Sequence, residues 1–200
     1  MKAEPRIRLA TVEDAPAILD IYAPYVTDTG VTFETTIPDR ESFTRRVSAV
    51  LATHPYLVAE QGTDLLGFTY ASPFRPRAAY AHAVEASIYI RRDYKGNGLG
   101  RRLYTALTEL LLLQNVYNMN ACIASIEPED EYVPQASCRF HEKMGFTRVA
   151  HFDKCGRKFN RWYDMVWMQK IIAEHPDDPA DFIPFPNVDD ALVTRILENA

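Results

Sequence analysis

The stretch that decides the fold lies near the middle of the chain and reads Tyr94-Lys95-Gly96-Asn97-Gly98-Leu99-Gly100-Arg101-Arg102. It separates a short apolar strand pattern from a long helical one. Glycines allow successive backbone N–H groups to turn toward one point, and the start of the following helix adds a partial positive charge. Lys95, Arg101 and Arg102 add full positive charges. The pattern therefore predicts a cradle for a phosphate, although a flexible turn with a basic surface patch fits the same residues.

Two common phosphate-binding motifs are excluded by the glycine spacing. A dinucleotide fingerprint needs glycines at relative positions one, three and six, but the sixth position counted from Gly96 is Arg101. A Walker A loop needs Gly-Lys followed by Ser or Thr, and the chain contains no such tripeptide. The loop is thus predicted to bind a pyrophosphate-bearing ligand other than a Rossmann dinucleotide.

Hydrophobic periodicity on both sides of the loop predicts a mixed α/β domain. Before the loop it predicts a strand over Arg6–Leu9, a helix from Thr11 and a second helix from Pro38–Asp39. A hairpin over Tyr56–Ala71 and a strand over Val84–Ile90 follow. After the loop it predicts a helix to about Gln114, a strand over Ala121–Ile126 and a second helix over Gln135–Met144. Two strands around Arg148–Asp153 and Asn160–Met168 complete the pattern. The domain is expected to span residues 1–170, followed by a proline-containing tail at 171–200 in which Val188–Leu197 can form a short helix.

Composition limits the class of protein. Hydrophobic residues make up 47% of the chain and charged residues 24%, as in ordinary globular domains. The net charge of −5 argues against a general nucleic-acid binder, which needs a basic face. The longest unbroken leucine run, Leu110 to Leu113, is far too short for a membrane span. No secretory signal or CxxC pair is visible, so we expect a cytoplasmic protein without a metal site or disulfide framework.

The glycine loop resembles the coenzyme A loop of the GCN5-related N-acetyltransferases, the GNAT family. That loop reads Gln/Arg-x-x-Gly-x-Gly/Ala, and this chain matches it except that Lys95 replaces the first residue. The resemblance covers residues 6–170 and implies the family's α/β fold, a mixed, mostly antiparallel sheet flanked by helices, with acetyl-CoA as co-substrate. It also implies that the backbone of Ile88, Tyr89 and Ile90 contacts the pantetheine arm. Pro134 stands where relatives often have a pantetheine-binding Asn, so no such role is assigned to it.

Within the family, the chain is similar to the branch that acetylates phosphinothricin, methionine sulfoximine and methionine sulfone. The segments that carry this similarity are Val31–Glu34, Phe74–Tyr80, Val84–Tyr89, Phe140–Phe146 and, more weakly, Trp162–Asp164. They occur in the order that the branch shows. The resemblance implies a small amino acid or analogue as acceptor and a homodimeric assembly.

Residue alternation in the predicted strand Val84–Ile90 singles out Glu85. Val84, Ala86 and the two isoleucines share one face, and Glu85 shares the other with a serine and a tyrosine. Taken alone, a single Glu in such a pattern more often belongs to a solvated strand face, because Glu is almost never fully buried. Burial in a cleft can raise a carboxylate pKa toward the strength that a general base needs. By resemblance, Glu85 occupies the position of the family's general base.

The resemblance assigns the remaining candidate residues. His141 occupies the position that in many relatives protonates the departing thiolate, and it is predicted as an acid or as a partner of Glu85. Arg75 and Arg77 flank Pro76 and can bind an acidic group of the substrate with two-pronged geometry. The aromatic residues predicted to wall the substrate pocket are Phe33, Tyr80 and Tyr89.

The sequence therefore predicts transfer of an acetyl group from acetyl-CoA to the primary amine of a small amino acid by direct attack. Two alternatives stay open at this point. One is the same chemistry on another amine, such as an antibiotic or a protein N-terminus. The other is an acetyl-CoA-binding module without catalysis, which would keep the glycine loop but would not need Glu85.

Overall fold

The computed structural model describes residues 4–200. Over this range the strands are β1 (Arg6–Leu9), β2 (Tyr56–Gln61), β3 (Asp64–Pro73), β4 (Ala83–Ile90), β5 (Asn118–Ser125), β6 (Thr147–Lys158) and β7 (Arg161–Ile171). The helices are α1 (Ala15–Asp28), α2 (Arg40–Leu51), α3 (Leu99–Leu113), α4 (Ala136–Lys143) and α5 (Asp190–Glu198). No helix in residues 4–200 is both long enough and apolar enough to cross a membrane.

The strands form one seven-stranded sheet in the order β1-β2-β3-β4-β5-β7-β6. Every neighbouring pair is antiparallel except β4 and β5, which are parallel. Helices α1 and α2 pack on one face, and α3 and α5 pack on the other. The predicted α/β class, a mixed and mostly antiparallel sheet flanked by helices, is confirmed.

Local sequence signals explain where the helices begin. Helix α2 begins after Asp39, whose carboxylate accepts a hydrogen bond from the backbone N–H of Ser42 at 2.8 Å, as an N-cap residue does. Helix α3 begins after Gly98, which has a φ of +77°, in the left-handed region. Five leucines at helical spacing then bury the inner side of α3: Leu99, Leu103, Leu107, Leu110 and Leu111.

The C-terminal hairpin is longer than the sequence pattern predicts. The prediction leaves a gap at 154–159, where Cys155 is expected at a turn. Instead, β6 continues through an irregularity between Phe152 and Gly156 and ends at Lys158. Phe159 and Asn160 then make the turn with φ values of 49° and 58°, as a tight two-residue hairpin requires.

The segment after β7 packs on the domain and contributes to its core. Phe185, Val188 and Val193 are buried in the same cluster as the leucines of α3. The side-chain amide of Gln114 donates to the carbonyl oxygens of Thr53 and Ile183, both at 2.8 Å. Helix α5 lies where the sequence allows a short helix.

Candidate active site

Strands β4 and β5 separate along part of their length and leave a cleft in the middle of the sheet. Their parallel pairing covers only Ala83–Glu85 on β4 and Asn118–Asn120 on β5. Beyond these residues, β4 remains paired with β3 and β5 with β7, but the two strands no longer pair with each other. A small cavity of about 50 Å³ lies between their separated halves. The separation leaves an edge of each strand available to a ligand that enters the sheet.

The glycine loop stands at the end of β4, beside this cleft. Gly96 and Gly98 have φ values of +88° and +77°, and nothing in the protein lies within 4 Å of a Cβ built on either glycine. The loop leads directly into the N-terminus of α3, where the first backbone N–H groups of a helix lack partners within the helix. Positive φ, open space and the helix start fit a pyrophosphate cradle.

The basic residues of the loop have different surroundings. The Lys95 Nζ lies 5.0 Å from the ring centre of Tyr25, and burial lowers the pKa of this lysine. Arg101 is exposed. Arg102 does not contribute its charge to the cradle as the sequence suggests: it donates to the carbonyl oxygens of Pro5 and Ala200 and forms an ion pair with Glu4 at 3.0 Å.

The last residues of β4 are held by aromatic neighbours. The Tyr25 hydroxyl donates to the carbonyl oxygen of Ile90 at 2.5 Å. The ring of Tyr89 packs edge-on against Tyr22 and Tyr25, with ring centres 5.0 and 5.1 Å apart. The Tyr89 side chain thus belongs to the packing beneath α1, and Ile88 and Tyr89 are among the residues that line the cleft.

Glu85 lies at the apex of the cleft, which is the point where β4 and β5 separate. It is on the face of the sheet that α1 and α2 cover. Val84, Ala86, Ile88 and Ile90 pack toward α3, so the predicted alternation of β4 holds. The Glu85 side chain is half-buried. Burial raises its pKa above the ordinary 4.5, and the positive charge of Arg75 partly opposes this rise. A carboxylate with a raised pKa is a stronger base.

Asn120, on β5, holds the two strands together at the apex. Its side chain is buried, and its Nδ2 donates to the carbonyl oxygen of Val84 at 3.0 Å. Its Oδ1 accepts a hydrogen bond from Nε2 of Gln169 at 3.0 Å. These bonds tie the last joined part of β4 and β5 to β7. Neither Asn120 nor Gln169 stands out in the sequence pattern.

His141 is buried, and both of its ring nitrogens are engaged within the protein. Nδ1 lies 2.8 Å from the carbonyl oxygen of Ser137, to which it donates, and Nε2 lies 3.0 Å from the Tyr104 hydroxyl. His141 and Tyr104 both line the small cavity between the separated strands. Burial lowers the pKa of His141 below 6.5, and the hydrogen bond to Ser137 only partly offsets this. Burial thus favours the neutral ring, in which Nδ1 carries the proton and Nε2 accepts from the Tyr104 hydroxyl.

The loop between β3 and β4 brings one of the two predicted arginines to the site. The Arg75 guanidinium lies 4.4 Å from the ring centre of Phe74 and 5.2 Å from that of Trp167. The backbone N–H of Phe74 donates to the carbonyl oxygen of Ala83 at 3.1 Å, which places the adjacent Arg75 beside the start of β4, and its positive charge lowers the pKa of Glu85. Arg77 is exposed, and its side chain makes no hydrogen bond or ion pair within residues 4–200. The structure thus joins Arg75 to Glu85 but not Arg77.

The three aromatic residues predicted to wall the substrate pocket lie in different parts of the structure. Phe33 packs 6.5 Å from Tyr163 and lies directly over Gly156, where a Cβ would come within 2.1 Å of its ring. Gly156 is therefore required for Phe33 to hold this position. Tyr80 lies on the loop before β4, with its ring 5.8 Å from Phe74. Neither contacts Tyr89.

The cysteines do not offer a nucleophile at the cleft. Cys122 lines the small cavity, but burial and the negative charge of Glu85 raise its pKa to about 12. Burial also raises the pKa of Cys138. These shifts favour the thiol form, which is the unreactive one, and so support direct attack of the amine.

Strand pairing also creates a cluster that sequence spacing does not predict. The Nε2 of His151 lies 3.0 Å from Asp164 and 3.6 Å from Asp153, on the outer part of the β6–β7 hairpin. These three side chains offer ligand atoms to a cation. Asp164 is also engaged by the backbone N–H of Lys154, at 2.7 Å. The cluster lies outside the cleft and plays no part in the site described above.

Comparison with known proteins agrees with the site geometry. The sequence model of the family described as Acetyltransferase (GNAT) domain matches residues 7–167. A phosphinothricin N-acetyltransferase of Alcaligenes faecalis is 37% identical over 165 residues, 82% of this chain and 81% of that protein. An L-methionine sulfoximine/L-methionine sulfone acetyltransferase of Salmonella typhimurium is 31% identical over 170 residues, 84% of this chain and 95% of that protein.

Solved structures give the same family. The yncA protein of Salmonella typhimurium, solved with its cofactor acetyl-CoA, superposes with a TM-score of 0.80 at 30% identity and covers 89% of this chain and 99% of its own. A GNAT superfamily phosphinothricin acetyltransferase of Sinorhizobium meliloti, in complex with acetyl-CoA, gives 0.76 at 28% identity and covers 94% and 97%. The chain is therefore a member of the GNAT family and an acetyl-CoA-dependent N-acetyltransferase.

Proposed function

We propose that the enzyme transfers the acetyl group of acetyl-CoA to the α-amino group of a free amino acid or a close analogue. The observation that carries the proposal is the position of Glu85, a half-buried carboxylate of raised pKa at the point where β4 and β5 separate. An amine acceptor arrives as an ammonium ion and must lose a proton before it can attack. Glu85 is the carboxylate at the apex that can accept it.

The glycine loop and the opened edge of β4 would hold the co-substrate. Gly96, Gly98 and the N-terminus of α3 bind the pyrophosphate, and the backbone of Ile88 and Tyr89 borders the path toward Glu85. Acetyl-CoA supplies the thioester that the amine attacks. The residues of the chain bind, orient and deprotonate the acceptor.

Arg75 would orient the acceptor through its carboxylate. Its guanidinium stacks on the rings of Phe74 and Trp167, and its Nη1 donates to the carbonyl oxygen of Phe74 at 2.7 Å. These contacts hold the group in place and leave its other N–H donors for the acceptor's carboxylate. Phe74, the residue before Arg75, is hydrogen-bonded to Ala83, two residues before Glu85, so a carboxylate bound to Arg75 would lie on the side of β4 where the base begins. An α-amino acid carries both groups on one carbon and matches this arrangement.

His141 would act as a positioning residue. Its neutral ring has its Nδ1 proton committed to Ser137 and its Nε2 to Tyr104. Its one ring proton is thus held by the Ser137 carbonyl and does not point at a departing thiolate. Coenzyme A would leave as the thiolate when the C–S bond breaks, and the thiolate would take its proton from solvent. The effect of His141 is to hold Tyr104 in the wall of the cleft.

A homodimer is the assembly we propose. Strand β6 forms the edge of the sheet, and the hairpin that it makes with β7 exposes Val149, Phe152 and Trp162, each more than half exposed. Exposed apolar side chains on an edge strand favour association with a second copy.

The test is a panel of amines in an assay for thiol release from acetyl-CoA. The panel contains free amino acids, phosphinothricin, methionine sulfoximine, methionine sulfone, an aminoglycoside and a peptide with an N-terminal alanine. We expect turnover with α-amino acids or their analogues and none with the aminoglycoside or the peptide. Turnover confined to the aminoglycoside or the peptide would contradict the proposal.

A further inference from the structure

A second, larger cavity lies beside the active site. Its volume is about 390 Å³, within the range of roughly 300–1,000 Å³ that is typical of small-molecule pockets. Rings and an amide dominate its lining: Phe74, Tyr80, His82, Tyr117, His175 and Gln169. None of the described residues that line it is Asp, Glu, Lys or Arg.

Strand register places this cavity next to Glu85. Ala83, which lines it, is two residues before Glu85 and therefore lies on the same face of β4. Asn118, which also lines it, is paired with Ala83 just as Asn120 is paired with Glu85. The floor of the cavity thus begins about 6–7 Å along the strand from Glu85, a distance that an amino acid side chain can span.

Arg75 stands where the two regions meet. Its guanidinium stacks on Phe74, which lines the cavity and whose backbone N–H donates at 3.1 Å to the carbonyl oxygen of Ala83, two residues before Glu85. Phe74 also packs edge-on against Trp167, with ring centres 5.5 Å apart. A carboxylate bound at Arg75 would leave the amino group near Glu85 and direct the side chain into the cavity.

The segment after β7 forms the outer wall. It is anchored at one end by the backbone N–H of Ile172, which donates to the carbonyl oxygen of Tyr117 at 2.9 Å. It is anchored at the other by Asn115, whose Nδ2 donates to the carbonyl oxygen of Asp181 at 2.7 Å. Between the anchors, the Nε2 of His175 lies 2.6 Å from Oδ1 of Asn118. This segment lies beyond the part of the chain that the family model matches.

We infer that this cavity is the acceptor's side-chain pocket and that it selects amino acids with a neutral aromatic side chain, such as phenylalanine. The inference rests on the proposed function, because it takes Glu85 and Arg75 as the partners of the amino and carboxylate groups. An uncharged lining favours a neutral side chain over an anionic one such as a phosphinate, because a buried charge needs a partner. Rings in the wall favour an aromatic occupant, since aromatic pairs add attraction beyond the area that they bury.

The experiment measures binding, so that it does not depend on turnover. Calorimetry on the protein saturated with coenzyme A compares L-phenylalanine, L-alanine and phosphinothricin. We expect a Kd for phenylalanine at least tenfold below those for the other two. A Kd for phenylalanine equal to or above that for alanine would overturn the inference.

Two neighbouring alanines provide a matched pair of variants. Ala78 and Ala79 are both exposed on the same short turn, but only Ala79 lines the cavity. Ala79→Trp should fill the cavity and weaken phenylalanine binding at least tenfold while alanine binding changes less than about threefold. Ala78→Trp should leave both unchanged. A second variant, His175→Ala, removes one ring and should weaken phenylalanine binding alone; equal losses for phenylalanine and alanine would contradict the inference.

The two proposals can fail separately. Tight phenylalanine binding that is lost in Ala79→Trp, with no amino acid acetylated, would leave the pocket standing and overturn the proposed function. Acetylation of alanine or phosphinothricin without preferential phenylalanine binding would overturn the pocket and leave the proposed function standing.

Discussion

Glu85 and Asn120 face each other on the last rung of the ladder that joins β4 to β5. Beyond this pair the two strands separate, and the cleft opens directly after the carboxylate. Asn120 holds the rung by donating to Val84 and accepting from Gln169. The base and the opening through which it meets the acceptor are thus set by one strand register.

The first prediction concerns the glycine loop. Gly98→Asp should weaken acetyl-CoA binding at least tenfold, because it places a negative charge where the pyrophosphate is expected. Gly98→Asn is the matched control, since Asn has the same shape, tolerates a positive φ and carries no charge. Calorimetry with acetyl-CoA measures both. Equal affinities for the two variants would show that charge at this position is irrelevant.

The second prediction concerns Arg75. Arg75→Ala should raise the KM for the amino acid about 10- to 100-fold, the loss of one hydrogen-bonded charge contact. It should also shift the acidic limb of the pH profile to higher pH, because removing a positive charge from the neighbourhood of Glu85 raises the pKa of that carboxylate further. Arg77→Ala should raise the KM by a smaller factor. Steady-state kinetics against pH tests this, and a larger effect at Arg77 would refute the assignment.

The third prediction concerns His141. His141→Ala should lower the free energy of unfolding by about 1–3 kcal/mol, because it leaves the buried Tyr104 hydroxyl and Ser137 carbonyl without their partner. The shape of the profile of kcat/KM against pH should be unchanged, because burial keeps the pKa of His141 low and the ring neutral. Urea unfolding and pH kinetics measure the two effects. Loss of the alkaline limb would instead identify His141 as the acid.

The fourth prediction concerns assembly. Light scattering at micromolar concentration should give twice the mass of one chain. Phe152→Asp combined with Trp162→Asp should give a monomer, whereas Val12→Asp, at an exposed apolar residue just after β1 on the opposite edge of the sheet, should not. A monomeric wild-type protein would refute the homodimer.

Much of the fold could be predicted because its signals are local. The helix that ends near Gln114, the helix start at Pro38–Asp39 and the residue alternation of β4 each depend on a few neighbouring positions, and each is confirmed. The end of β6 could not be predicted in this way. There, a turn is expected at Cys155, but Gly156 is retained in the strand beneath Phe33, a partner more than 100 positions away.

The site was predictable where one motif carries it and not where distant strands meet. The glycine loop and Glu85 follow from short patterns. Asn120 and Gln169 come together only through the register of β5 and β7, which sequence spacing does not reveal. Tyr104 reads as one more apolar position on α3, and Arg102 reads as a phosphate ligand although it binds Pro5 and Ala200.

The most direct test of the account is kcat/KM against pH for the wild-type enzyme and Glu85→Gln, on an acceptor already shown to turn over. Gln keeps the shape of Glu but cannot accept a proton, so the rate should fall by about 10²–10⁴-fold near neutral pH. The difference should narrow as pH rises, because more of the acceptor is then already deprotonated. Two profiles of the same shape that differ by less than about threefold would show that Glu85 is not the base.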